Sequence, residues 1–100
     1  MQMNYQRIYD ALMDRSKGRI LEGYSEKHHI LPKCLGGNNK RENIAILTAS
    51  EHYVAHLLLV KIHPHHKGLV WSAMAMTNGT KNHQRSGNKV YEWLRRRFSD

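Results

Sequence analysis

The chain has 100 residues, 40% of them hydrophobic, with a mean hydropathy of −0.70 and a formal charge of +8 from 16 Lys and Arg against 8 Asp and Glu. That length suits one compact domain with a modest core. The composition argues against a disordered chain, and the longest apolar run, Leu57-Leu58-Leu59-Val60, is far too short to span a bilayer.

The N-terminus, with Gln2, Asn4, Gln6 and Arg7, lacks the apolar region of a signal peptide. Tyr5, Ile8, Tyr9, Leu12 and Met13 then recur at helical spacing, so a first helix is expected, with Asn4 as its N-cap and Gly18 in a C-cap position. Gly23 marks a turn. Glu26 to Leu31 reads as a short strand that Pro32 ends, because proline cannot donate to a ladder. Cys34 to Arg41 is a loop built on Gly36-Gly37-Asn38-Asn39, and Ile44 to Leu47 is the returning strand of a hairpin.

Thr48-Ala49-Ser50-Glu51 is a capping box, and a helix is expected from Ala49 to about Ile62. Leu69, Val70, Ala73 and Met74 give a further helix over 67–77, closed by Asn78-Gly79. Lys81 to Asn88 reads as loop. Val90, Tyr91, Leu94 and Phe98 define a last helix carrying Arg95-Arg96-Arg97. This order predicts an α+β fold: a two-stranded antiparallel hairpin and a helix as a ββα core, with additional N- and C-terminal helices. All 100 residues form one domain, divided as 1–22 for the first helix, 23–63 for the core and 64–100 for the C-terminal helices with their basic tail.

The histidines carry the chemistry. Neighbouring residues on a strand point to opposite faces, so His28 and His29 cannot share one role; one can face a metal while the other faces a substrate. His52 and His56 are four apart on the expected helix and share a face, a spacing that suits two imidazoles on one ion. If that helix packs on the hairpin, His28 can supply a third ligand. Three protein ligands with open positions is the pattern of a catalytic rather than a closed structural site. His63, His65 and His66 flank Pro64 at a helix end and read as a solvated turn. Cys34, the one cysteine, excludes an internal disulfide and fits a reducing cytoplasm; it reads as a partly buried free thiol.

The run Glu26-Lys27-His28-His29-Ile30-Leu31-Pro32, with Gly36-Gly37, Asn43-Ile44-Ala45-Ile46-Leu47, Glu51-His52 and His56, resembles the HNH, or ββα-metal, nuclease family. The match covers Gly23 to Ile62, and the leading helix and basic tail look like phage-encoded HNH homing endonucleases. The resemblance implies that His28 and His52 are metal ligands, joined by His56 as in some subfamilies. It implies His29 as general base and Asn43 as the residue that ties the loop to the strand and steadies that base. It also implies one divalent ion (Mg, Mn, Zn or Ni), double-stranded DNA as substrate, a monomer or homodimer, and the cytoplasm of a phage-infected bacterium.

The cationic excess favours an anionic partner, nucleic acid first. Lys33, Lys40 and Arg41 in the hairpin loop are the expected phosphate contacts near the cut, with Arg85, Lys89, Arg95, Arg96 and Arg97 as a second group. The last helix reads equally as a solvated face above Val90, Leu94 and Phe98. Gly36 and Gly37 read as a turn or as a place for close approach to DNA. The leading expectation is therefore a metal-dependent DNA endonuclease, nicking or cutting both strands. The competing ones are a non-catalytic nucleic-acid-binding module on the same scaffold and a nuclease aimed at RNA or non-specific DNA.

Overall fold

The computed structural model describes residues 4–77, ordered as α1 (Tyr5–Ser16), β1 (Glu26–His29), β2 (Ile44–Leu47), α2 (Ala49–Ile62) and α3 (Lys67–Thr77). The fold is α+β, with one two-stranded sheet and three helices among the described residues. None of these helices is long and apolar enough to cross a membrane. The expected helix over Val90–Phe98, and with it Arg85, Lys89, Arg95, Arg96 and Arg97, lies outside the described residues.

Helix α1 forms as its periodicity dictates. Asn4 caps it, its side-chain oxygen accepting from the Arg7 backbone N–H at 3.1 Å. Ile8, Tyr9, Leu12 and Met13 are buried along one stripe. Lys17 is the C-cap, and Gly18 follows it at φ +73°, the left-handed position that glycine takes at low cost. The stripe packs on α2, which also touches α3 and both strands. Val54, Ala55, Leu58 and Leu59 of α2 meet Ala45 and Leu47 of β2 in one core. Burying each of the larger aliphatic side chains here stabilises the fold by about 1.5–3 kcal/mol.

The strands pair antiparallel with Glu26 opposite Leu47 and His28 opposite Ala45. The pairing is two residues shorter on β1 than the expected Glu26–Leu31. Ile30 still donates to the Asn43 carbonyl at 2.9 Å, but the backbone of Leu31 is taken over by the Asn43 side chain. The loop between the strands is more ordered than expected, holding 3₁₀ turns at Lys33–Leu35 and Arg41–Asn43.

Gly36 sits at φ +96° and ends the first of these turns. Gly37 is packed against the chain itself: a Cβ there would lie 1.7 Å from the Leu31 carbonyl oxygen. That approach makes glycine the residue that lets the loop fold back on Leu31 at this position. Gly37→Ala is expected to lower stability by about 1–3 kcal/mol as the backbone shifts to relieve the clash. Thermal unfolding measures it, and an unchanged midpoint would show that the loop takes another path.

Candidate active site

Strand β1 departs from the usual pattern of a half-buried strand. It contains no apolar residue, and its inward face carries Glu26 and His28. His28 is 2% exposed, a burial ordinary for leucine and rare for an imidazole. Such a local inconsistency is expected where function overrides packing.

The inward face meets α2 where His52 and His56 project. The three ring centroids lie 5.0 Å (His28–His52), 5.1 Å (His28–His56) and 4.9 Å (His52–His56) apart, with the planes steeply inclined to one another. One nitrogen from each ring lies within 4.8 Å of the other two. A tetrahedral site with bonds of about 2.0–2.1 Å needs its donor atoms closer than that upper bound. The structure thus brings His28, His52 and His56 to one point.

The surroundings suit neutral, cation-binding rings. Burial, reinforced by His56, His52 and His29, pushes the His28 pKa from its ordinary 6.5 down to about 3. At neutral pH this ring is uncharged and offers a lone pair. His52 Nδ1 lies 2.7 Å from Glu26 Oε1. A carboxylate can only accept, so Nδ1 carries the proton and Nε2 is left for a ligand role. The Tyr24 hydroxyl donates to the other oxygen of Glu26 and steadies it.

His29 is on the opposite strand face from His28. It lines the same cleft as the three-histidine cluster, a space of about 390 Å³ that Lys27, Lys33, Cys34 and the first turns of α3 also border. Its Nε2 lies 2.8 Å from Asn39 Oδ1. In that arrangement Nε2 donates, and Nδ1 is the ring atom able to accept a proton.

Asn43 clamps the loop as a carboxamide can. Its Oδ1 accepts from the Leu31 N–H at 2.8 Å, while Nδ2 donates to the Leu31 carbonyl at 3.0 Å and the Asn38 carbonyl at 2.8 Å. It is linked to the His29 ring through the loop: Asn43 holds Asn38, and the next residue, Asn39, touches the ring.

Of the expected phosphate contacts, Lys33 borders the cleft, whereas Lys40 and Arg41 are exposed but are not among the residues that line it. Lys27, outside that expected set, borders it too. Cys34 is exposed rather than partly buried. His66 has a structural part, its Nδ1 accepting from the Leu69 N–H at 3.4 Å where α3 begins.

Sequence reasoning missed Glu26 and Asn39 as partners of histidines. Glu26 was legible: it stands two residues before His28 and so shares its face. Asn39 was not, because a loop residue ten positions from His29 has no periodicity to place it.

Fold and site together define a small α+β protein in which a hairpin and a helix present three convergent histidines beside a fourth in an open cleft. The chain is similar to proteins of Enterobacteria phage T4. It is 44% identical to "Probable mobile endonuclease E" over 93 residues, which cover 89% of this chain and 65% of that protein. It is 38% identical to "Probable mobile endonuclease D" over 97% of this chain and 41% of that one, and 38% identical to "Probable mobile endonuclease B" over 93% and 36%. The chain therefore spans just under two thirds of the first relative and well under half of the other two. No family model and no solved structure matches it.

Proposed function

We propose that this chain is a metal-dependent DNA endonuclease of the HNH type, acting in the manner of the phage mobile endonucleases it resembles. The observation that carries the reading is the convergence of His28, His52 and His56 at a cleft that His29 also lines. The formal charge of +8 suits a polyanionic substrate. By the same likeness it works in the cytoplasm of an infected bacterium.

The donor set fits a divalent ion. His28, His52 and His56 would hold it, with Glu26 orienting His52 from behind. Imidazole ligation favours Zn²⁺ or Ni²⁺, while Mg²⁺ prefers oxygen. A bound ion supplies Lewis-acid stabilisation of the charge that develops on the scissile phosphate and the departing oxygen.

The protein's own groups do the rest. Asn39 holds the His29 ring so that Nδ1 faces away from the hydrogen bond and can take a proton from water. The resulting hydroxide oxygen bonds to phosphorus in line with the 3′-oxygen, whose bond to phosphorus breaks. The products are a 5′-phosphate and, after protonation from solvent, a 3′-hydroxyl. Lys27 and Lys33 border the cleft and attract the phosphate backbone there.

The test is incubation with supercoiled plasmid in the presence of Mg²⁺, Mn²⁺, Ni²⁺ or Zn²⁺ at low salt. Conversion to nicked or linear DNA with at least one ion is expected, and chelation should stop it. DNA retention on a gel without cleavage under any ion would make the chain a binding module instead.

A further inference from the structure

Tyr9 belongs to the apolar stripe of α1 and is 2% exposed. A buried tyrosine has to find a partner for its hydroxyl, and this one has two. Its oxygen lies 2.7 Å from the Ile30 carbonyl oxygen and 2.7 Å from His28 Nε2. A phenol has one proton and a carbonyl has none to give, so the phenol proton goes to Ile30. The contact with His28 must then be supplied by a proton on Nε2. A neutral imidazole with its proton on Nε2 is bare at Nδ1, and a metal binds only the bare nitrogen.

We propose that Tyr9 is a positioning residue for the metal centre: its hydroxyl holds the His28 ring with Nε2 protonated, so that Nδ1 is the atom His28 offers to the ion. The inference rests on the reading of His28, His52 and His56 as a metal site. It extends that site beyond the hairpin and α2 to the N-terminal helix. The cluster then uses two ring orientations, each fixed by a partner behind it: His52 faces inward through Nε2 because Glu26 takes Nδ1, and His28 faces inward through Nδ1 because Tyr9 takes Nε2.

The experiment uses the whole chain, labelled with ¹⁵N and freed of metal. Long-range ¹H–¹⁵N spectra assign each imidazole tautomer, and competition with a chromogenic chelator gives the zinc affinity. Wild type should show His28 as the Nε2–H form. In Tyr9→Phe, which keeps the ring and loses the hydroxyl, His28 should no longer hold a single tautomer, and zinc affinity should fall about 10–100-fold. His28 found as the Nδ1–H form in wild type overturns the proposal, and that reading does not depend on how well the variant folds. Wild-type zinc affinity in a folded Tyr9→Phe overturns it too. No zinc binding by wild type instead removes the metal site itself, and this inference with it.

Discussion

His29→Ala is expected to lower plasmid cleavage by about 10²–10⁴-fold, the usual worth of a positioned general base, and to leave metal affinity unchanged. His28→Ala should lose both. The two residues are adjacent, and the contrast between them comes from strand geometry alone. His28 points into the packed side of β1, 2% exposed and within reach of His52 and His56. His29 points the other way and meets Asn39. Removing the outer ring leaves the three inward nitrogens where they were. Removing the inner ring takes away one of the three proposed ligands and leaves the Tyr9 hydroxyl without that partner. Titration calorimetry with Zn²⁺ beside a nicking assay reads both quantities on the same preparation. Equal loss of metal in the two variants would mean that β1 does not hold its alternation, and full activity in His29→Ala would remove it as the base.

Much of this arrangement could be read from the sequence because it depends on short periods. The capping box at Thr48 and Glu51 forms as written, each side chain satisfying the other's backbone N–H. The separation of His28 from His29, and the shared face of His52 and His56, follow from the twofold and 3.6-fold repeats of strand and helix. What escaped depends on contacts between distant segments. β1 ends before the expected Leu31 because the Asn43 side chain replaces ladder bonds there, which no pattern within β1 signals. Tyr9 looked like one more apolar residue of a helical stripe, and only the packing of α1 on the hairpin shows what its hydroxyl meets. Gly37 reads as a turn glycine, and the Leu31 carbonyl that a side chain there would strike comes from across the loop. The capping box itself hid a further function of Glu51.

That carboxylate does more than cap α2. Glu51 is 2% exposed, accepts from Arg19 Nη1 at 2.8 Å, pairs its other oxygen with Arg19 Nη2, and has Arg15 Nε at 3.6 Å. One side chain therefore ties the segment after α1 to the start of α2. Burial works to raise its pKa, but the Arg19 hydrogen bonds, the Thr48 backbone N–H and the charges of Arg19 and Arg15 outweigh that and hold it below the ordinary value. Glu51→Ala leaves Arg19 partly buried without its counter-charge and the Thr48 N–H without its acceptor. Breaking a buried pair costs about 3–5 kcal/mol. Arg19 keeps 24% side-chain exposure and Arg15 36%, so both can turn partly to water, and about 2–3 kcal/mol is expected. For a domain of this size that lowers the thermal midpoint by about 10–20 °C. The sign of the pH dependence follows from the lowered pKa: the stabilisation is present above the unfolded value and fades as pH falls through the folded one. Metal-free protein should already weaken at milder acidity. The unfolded chain binds a proton at His28 below about pH 6.5 that the folded one refuses until about pH 3, a slope of about 1.4 kcal/mol per pH unit. Glu51→Gln should remove the more acidic of these two losses and keep the other. Denaturant melts of chelated protein from pH 7 to pH 3 separate them, and a variant whose acid limb matches wild type throughout would show that Glu51 is not tied to Arg19 in solution.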